Sequence, residues 1–288
     1  MVPREFDYFD PTSAEEAVGL LEGYGDDAKL MAGGQSLLPM MKLRVVAPRV
    51  VIDLWRVPGL SYIREQDGMV LIGSMTTHYT LQSSELLRTK LPILAETAQV
   101  VGDPLVRNLG TIGGSAAHAA PNADYPSVLA ALDAQIRMVG PRGSRTVPSQ
   151  DFFKDMFTTV MEPSEVLTEI RIPIPQAEDA GAYLKLSRRG TDFAVVSVAA
   201  VLRREEGGRC GEAHVVLGGV GPVPLRASAA EDLLKGASIT PQLAKEAGEA
   251  AVKGLEPPSD VQADSQYRID VTKVYVRRAI QAAWGRLS

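Results

Sequence analysis

The stretch KLMAGGQSLLPMMKLR, from Lys29 to Arg44, places two adjacent glycines between a short apolar run and a mixed apolar and basic segment. Glycine adopts positive φ and lets another backbone or a ligand come close, so the pair predicts a tight turn. The preceding AKLMA is typical of a short buried strand that ends at Gly33. The following SLLPMMKLR is expected to hold one helical turn, begun or interrupted by Pro39.

Residues 1–57, which surround this stretch, are expected to form a small α/β unit. Ser13 followed by Glu16 is a capping-box pattern and predicts a helix over SAEEAVGLLEGY. RVVIDL predicts a second buried strand. Strands joined by helical segments favour parallel pairing.

From Leu60 the pattern changes to hairpins and longer strands. The turn pair Asp67-Gly68 in LSYIREQDGMVLIGSMT predicts a β-hairpin, and LPILAETAQVV has helical spacing. AQIRMVG, SRTVP and VLTEIRIP are strand-like. Residues 58–177 are therefore predicted to be an α+β part with a mostly antiparallel sheet, and 1–177 to be one two-part domain. The stretch IPIPQAEDAGA, from Ile172 to Ala182, has two prolines and is predicted to contain the boundary between this domain and the next.

Residues 178–288 are predicted to form a small C-terminal α+β domain. AYLKLS, VVSVAAVLRR and CGEAHVVLGGV predict a three-stranded sheet. SAAEDLLKG and TPQLAKEAGEAAVKG predict helices, with Pro241 in the first turn of the second. A long final helix is expected from about Tyr267.

Composition excludes several classes of protein. A formal net charge of −5 and a pI near 5.4 over 288 residues argue against nucleic-acid binding. We expect no membrane span and no signal peptide, and therefore a cytoplasmic location. One cysteine, Cys210, and three separated histidines, His78, His118 and His214, lack the spacing of metal ligands. Redox chemistry here would therefore need an organic cofactor.

A second glycine-rich stretch, RNLGTIGGSAAHAAPNADYPSVLAAL, runs from Arg107 to Leu132. Its glycines predict another permissive turn that exposes consecutive backbone N–H groups, which bind phosphate oxygens. Neither glycine run has the lysine of a P-loop or the GxGxxG spacing of a Rossmann fold. Each alone is more often a plain turn, but two of them are suited to holding the two halves of one diphosphate.

Two polar residues in this stretch have alternative interpretations. Asp124, before an apolar helix, either accepts hydrogen bonds from a sugar-alcohol hydroxyl or helps to cap the helix. His118 either contacts a cofactor or partner, or is an ordinary hydrogen-bonded loop histidine.

AGGQSLLPMMKLR and TIGGSAAHAAPNADYP resemble the paired flavin motifs of the medium, FAD-binding subunits of the molybdenum hydroxylase and xanthine dehydrogenase family. The closest resemblance is to the carbon monoxide dehydrogenase flavoprotein type, and it covers essentially the whole chain. It implies an α+β fold, with a two-part FAD-binding domain of the vanillyl-alcohol-oxidase/PCMH type before a small C-terminal domain.

The resemblance also implies which residues contact FAD. The first loop matches Leu30, Met31, Ala32, Gly33, Gly34, Gln35, Ser36 and Leu37, and the second matches Thr111, Ile112, Gly113, Gly114 and Ser115. Val101, Asp124, Leu167, Lys185 and Phe193 match further cofactor contacts. Among these, Lys185 is expected to stabilise reduced flavin by its charge, and Phe193 to cover one face of the ring.

The function implied is that of an electron-transfer subunit. A small partner with 2Fe–2S clusters would pass electrons to FAD in this chain, and a large molybdenum–pterin partner would hydroxylate substrate. The resemblance implies a dimer of such heterotrimers and no catalytic acid, base or nucleophile here. The alternatives are a self-sufficient FAD oxidase or reductase of the same fold, and a flavin-free assembly module.

Overall fold

The N-terminal part of the chain is a small α/β unit in the computed structural model, which describes residues 2–287. Its elements are β1 (Asp7–Phe9), α1 (Ala14–Tyr24), β2 (Ala28–Met31), α2 (Leu37–Lys42) and β3 (Val50–Asp53). The strands are parallel in the order β1-β3-β2. The two predicted strands and their parallel pairing are confirmed, and β1 adds an edge strand that was not predicted.

The start of α1 shows how local sequence sets this unit. The Ser13 hydroxyl accepts a hydrogen bond from the Glu16 backbone N–H at 3.0 Å. The Glu16 carboxylate in turn accepts from the backbone N–H of Thr12 at 2.7 Å. The predicted cap is therefore confirmed, with its reciprocal bond displaced by one residue from the usual capping box.

The middle of the chain is built on a five-stranded antiparallel sheet. Its elements are β4 (Ile63–Gln66), β5 (Met69–Gly73), α3 (His78–Ser83), α4 (Glu85–Lys90), α5 (Pro92–Gln99), α6 (Pro104–Leu109), α7 (Ile112–His118), α8 (Asp124–Ala131), β6 (Gln135–Gly140), β7 (Gly143–Pro148), α9 (Ser149–Phe152), β8 (Phe153–Asp155), β9 (Thr158–Thr159) and β10 (Val166–Pro173). The sheet order is β4-β5-β10-β6-β7, and β8 pairs with β9 separately. The predicted hairpin turns at Asp67 and Gly68, both with positive φ.

One face of this sheet carries the largest core of the protein. Helix α8 lies inside it, and all eight of its residues are buried. The fully buried Tyr125 and Ile136 belong to the same cluster. Because α8 is buried on all sides, its first residue is held rigidly at the edge of the core.

The C-terminal part is a separate sheet covered by helices. Its elements are β11 (Asp179–Leu186), β12 (Val196–Arg204), β13 (Cys210–Gly218), β14 (Leu225–Arg226), α10 (Ser228–Leu234), α11 (Pro241–Ala251) and α12 (Ser265–Gly285). The sheet is antiparallel and four-stranded, in the order β11-β12-β13-β14. The prediction of three strands is corrected by β14, whose two residues are too few to show an alternating pattern.

The two parts are joined by residues 174–178, between the end of β10 and the start of β11. The exact division after residue 177 stays a prediction. Within residues 2–287, no helix is long and apolar enough to cross a membrane.

Candidate functional site

The first glycine segment connects β2 to α2 through residues 32–36. Gly34 has a φ of 69°, which favours glycine over any residue with a side chain. Within residues 2–287, the backbone N–H groups of Gly33, Gly34, Gln35 and Ser36 donate to no protein acceptor. Four successive free donors form a backbone site suited to an anion such as a phosphate.

The second glycine segment is the start of a helix and not a turn. Thr111 is the N-cap of α7, and its hydroxyl accepts from the Gly114 N–H at 3.0 Å. The Gly113 N–H donates to the Ser74 carbonyl at 2.9 Å, and the Ile112 N–H to the Thr76 carbonyl at 3.1 Å. The expectation of exposed consecutive N–H groups in this segment is therefore wrong, because the protein itself satisfies them.

Glycine is needed in the second segment for close packing. A side-chain carbon on Gly113 would lie 2.5 Å from the Ser74 Cβ, which is far inside van der Waals contact. Neither Gly113 nor Gly114 has a positive φ. Sequence reasoning identified a glycine-rich segment here but assigned the wrong local structure, and its contact with a cofactor stays a prediction.

The two glycine segments touch each other directly, although they are far apart in the chain. A Cβ on Gly33 would lie 1.9 Å from the Leu109 carbonyl oxygen and 2.8 Å from the Gly110 Cα. A Cβ on Gly114 would lie 3.3 Å from the Cβ of Ala32. The fold therefore joins the open N–H groups of the first segment to the small-residue surface of the second.

Asp124, at the start of α8, and Lys185 form a buried ion pair. The Lys185 Nζ lies 3.1 Å from the Asp124 Oδ1 and donates to the Val100 carbonyl at 2.9 Å. The Tyr183 hydroxyl donates to the same carboxylate at 2.7 Å. The Asp124 and Lys185 side chains are 4% and 5% exposed. Lys185 and Tyr183 belong to β11 and Asp124 to α8, so this cluster joins the two domains.

Burial determines the protonation behaviour of this cluster. It raises the pKa of the Asp124 carboxyl, and the Lys185 charge and the two donated hydrogen bonds offset part of that rise. Burial and the neighbouring carboxylate raise the pKa of Tyr183 well above its usual value. Neither sequence interpretation of Asp124 included this ion pair, and its contact with a cofactor hydroxyl stays a prediction. The residue before it caps α8 without a side-chain bond, and the hydroxyl that the carboxylate binds belongs to the protein.

A histidine–tyrosine pair supports the second segment from behind. The backbone N–H of His78 donates to the Gly110 carbonyl at 2.9 Å. The Nδ1 of the His78 ring lies 3.0 Å from the Tyr125 hydroxyl. Burial, with a contribution from Arg107, lowers the pKa of His78 to about 4. The sequence carried no signal for this pair, because 47 residues separate its members.

The remaining candidate residues lie in varied surroundings. Leu30 and Met31 end β2, Leu37 begins α2, and Ser115 lies in α7. The Val101 carbonyl accepts from Arg107 at 3.2 Å. The Leu167 side chain belongs to the large core, and Phe193 is 51% exposed on the loop between β11 and β12. His118 is half-buried, with its ring centroid 5.1 Å from that of Phe157, and burial lowers its pKa.

Comparison with known proteins identifies the fold that carries this site. Residues 4–175 match the model of the FAD binding domain in molybdopterin dehydrogenase. The chain belongs to this family. Residues 181–283 match the CO dehydrogenase flavoprotein C-terminal domain. The fold prediction and the predicted resemblance are therefore confirmed, and the chain is an FAD-binding oxidoreductase subunit.

Individual relatives are similar over their whole length. The carbon monoxide dehydrogenase medium chain of Hydrogenophaga pseudoflava is 42% identical over 286 residues, which cover 99% of each chain. The nicotine 6-hydroxylase medium subunit of Paenarthrobacter nicotinovorans is 36% identical, with 97% of each covered. Such relatives are subunits of multi-subunit molybdenum hydroxylases.

Solved structures of the family superimpose on the whole chain. A structure of carbon monoxide dehydrogenase from H. pseudoflava that lacks the Mo-pyranopterin moiety matches with a TM-score of 0.97 and 43% identity, covering 100% of both chains. Quinoline 2-oxidoreductase from Pseudomonas putida 86 matches with a TM-score of 0.95 and 36% identity, covering 100% of this chain and 99% of the other.

Proposed function

We propose that this chain carries FAD as the electron-transfer subunit of a molybdenum hydroxylase. It would receive electrons from the 2Fe–2S clusters of a small partner and pass them to an external acceptor. A large molybdenum–pterin partner would hydroxylate the substrate. The observation that carries the proposal is the run of four free backbone N–H groups from Gly33 to Ser36, which the contact of Gly33 with Leu109 and Gly110 holds against the second segment.

The residues present fit FAD in their chemistry. The four free N–H groups from Gly33 to Ser36 are donors for the diphosphate oxygens. The absence of side chains at Gly33 and Gly114 lets the two segments approach each other, so that the free N–H groups of the first lie against the second. The other residues proposed to contact FAD are those matched in the sequence, namely Leu30, Met31, Ala32, Leu37, Val101, Thr111, Ile112, Gly113, Ser115, Asp124, Leu167, Lys185 and Phe193.

FAD supplies the group that accepts and releases electrons, and the residues of this chain orient it and adjust its charge environment. Lys185 is held in place by Asp124 and the Val100 carbonyl. A fixed ammonium of this kind favours negative charge beside it without reorganisation. We propose that Phe193, half exposed on its loop, packs against the flavin ring. No side chain of this chain is assigned a proton transfer.

The assembly is proposed from the family. We propose a small 2Fe–2S partner and a large molybdenum–pterin partner, assembled as a dimer of heterotrimers, with domains divided after residue 177. Relatives named for carbon monoxide, nicotine and caffeine share this fold, so the chain itself does not select the substrate class. A cytoplasmic location stays a prediction.

The first test is a titration of the purified full-length chain with FAD, followed by visible absorption before and after dithionite. We expect stoichiometric uptake and loss of the flavin absorption on reduction. The same measurement is made on the complex purified with its partner subunits, because the FAD site could form only in that complex. A complex without flavin would overturn the proposal, and substrate oxidation by the chain alone would favour the self-sufficient oxidase.

A further inference from the structure

Arg268 is a buried arginine that is not among the residues proposed to contact FAD. It lies in the first turns of α12, 3% exposed, and its guanidinium donates to two backbone carbonyls, those of Val195 and of Gly219 at 2.9 Å. Its Nη2 lies 2.8 Å from the Asp260 carboxylate. One side chain therefore ties the start of β12 to the end of β13 and to the loop before α12.

The two carbonyls that Arg268 binds belong to the edge of the C-terminal domain that touches the candidate site. The Gly219 N–H donates to the Pro121 carbonyl at 3.0 Å, and the adjacent Ala194 N–H donates to the Asn122 carbonyl at 3.3 Å. Pro121 and Asn122 lie within three residues of Asp124. Arg268 thus holds both backbone segments that dock on the chain leading into the Asp124–Lys185 pair.

The same edge also carries Phe193. The loop from 187 to 194 is closed at its base by the Val195 N–H, which donates to the Leu186 carbonyl at 2.7 Å. Arg268 binds the carbonyl of that same residue, Val195. Gly219 has a φ of 76°, and a Cβ there would lie 2.9 Å from the Val195 carbonyl, so the two segments are packed without spare room.

We propose that Arg268 is a positioning residue for the FAD site, acting through the backbone of residues 194–195 and 219 on residues 121–124 and on the Phe193 loop. The inference rests on the proposed function. A buried guanidinium with several hydrogen bonds fixes its partners because each carbonyl would otherwise be unpaired. Glutamine at this position cannot reach both carbonyls and the carboxylate together.

Arg204 provides a matched control in the same domain. Its guanidinium donates to the Leu287 carbonyl and lies 4.8 Å from the centroid of the Trp284 ring, and it joins β12 to α12 as Arg268 does. It lies at the opposite end of β12, about 26 Å from Val196 at the usual rise per residue. Arg204→Gln therefore removes a comparable hydrogen bond between β12 and the end of the chain, without changing the contacts of Val195 and Gly219.

The experiment compares Arg268→Gln, Arg268→Lys and Arg204→Gln with the unaltered full-length chain. Hydrogen exchange of the Ala194 and Gly219 amides, measured without FAD, reports the docking contacts. FAD affinity and the visible circular dichroism of bound FAD report the site. We expect exchange about tenfold faster and FAD binding about tenfold weaker in Arg268→Gln, an intermediate result for lysine, and neither change in Arg204→Gln.

Two further points keep the outcomes separate. Asp260→Asn removes the half-exposed carboxylate partner of Arg268. If Arg268→Gln does not fold, this variant replaces it, and we expect the same pattern in weaker form. If the unaltered chain binds FAD, two results overturn the inference alone. One is that Arg268→Gln binds FAD as tightly as the unaltered chain, and the other is that Arg204→Gln loses as much as Arg268→Gln. Absence of FAD from the unaltered chain and from its purified complex overturns the proposed function, and with it this role of Arg268.

Discussion

Lys185 and Asp124 meet across the boundary between the two domains, with Nζ and Oδ1 3.1 Å apart and both side chains almost fully buried. One partner lies on β11 and the other begins α8. Because a buried charge without its partner is strongly unfavourable, each residue constrains the other, and the pair fixes the C-terminal sheet against the FAD-binding domain.

The ion pair predicts a non-additive pair of substitutions. Lys185→Met leaves the Asp124 carboxylate buried and unpaired, and we expect a loss of about 3 kcal/mol in the free energy of unfolding. Asp124→Asn together with Lys185→Met should cost less than the sum of the single losses by at least about 1 kcal/mol. Urea unfolding at neutral pH measures all three.

A surface pair serves as the control for this cycle. Arg49 and Asp27 lie 3.3 Å apart with both side chains largely exposed, so Arg49→Gln should change the stability little. Strictly additive losses for Lys185 and Asp124 would contradict the coupling.

The contact between the glycine segments predicts that Gly33 tolerates no side chain. A methyl group there would meet the Leu109 carbonyl oxygen at 1.9 Å, so Gly33→Ala must push the two segments apart. We expect a destabilisation of about 1–3 kcal/mol, as for other overpacked sites, and a clear loss of FAD affinity. Gly19→Ala, where a Cβ meets nothing within 4 Å, should keep FAD affinity unchanged. Equal FAD affinity in both variants would rule out the proposed role of this contact.

Burial of His78 predicts a dependence of stability on pH. Its pKa is lowered to about 4 in the folded protein, against about 6.5 in an unfolded chain. Between these values the unfolded state binds more protons, so stability falls as the pH decreases, by roughly 3 kcal/mol over the whole interval. The slope of unfolding free energy against pH should be smaller in His78→Gln.

His118 makes the His78 measurement specific. Burial also lowers the pKa of His118, and its contribution has the same sign and remains in His78→Gln. The difference between the two slopes therefore belongs to His78. An unchanged slope between pH 4 and 6.5 would show that His78 is not the buried neutral group described here.

The single cysteine predicts a simple probe of folding. Cys210 is fully buried, and burial with the nearby Glu205 and Glu212 raises its pKa to about 11. The thiolate is the reactive form, so native protein should resist a thiol reagent at neutral pH and react once unfolded in urea. Rapid stoichiometric labelling of the native chain would contradict this placement.

The sequence allowed most of the elements to be predicted, because their signals are local. The Ser13 cap, the Asp67-Gly68 turn and the Pro241 helix start each depend on contacts within a few residues. Both glycine-rich segments were also recognised from local sequence, although their contact with FAD stays a prediction. What failed was the local structure of residues 110–114, since a glycine needed for packing against Ser74 looks in sequence like a glycine needed for a turn.

By itself, the sequence determined most of the strands and helices, the two glycine segments and the family to which the chain belongs. Only the tertiary structure decided that Gly33 packs on Leu109, that Lys185 pairs with Asp124 across the domain boundary, and that the N–H groups of the second segment are used internally. The physical reason is distance along the chain. Local hydrogen bonds and periodicity are encoded within one element, whereas these contacts exist only after two domains have packed and removed their charges and backbone groups from water.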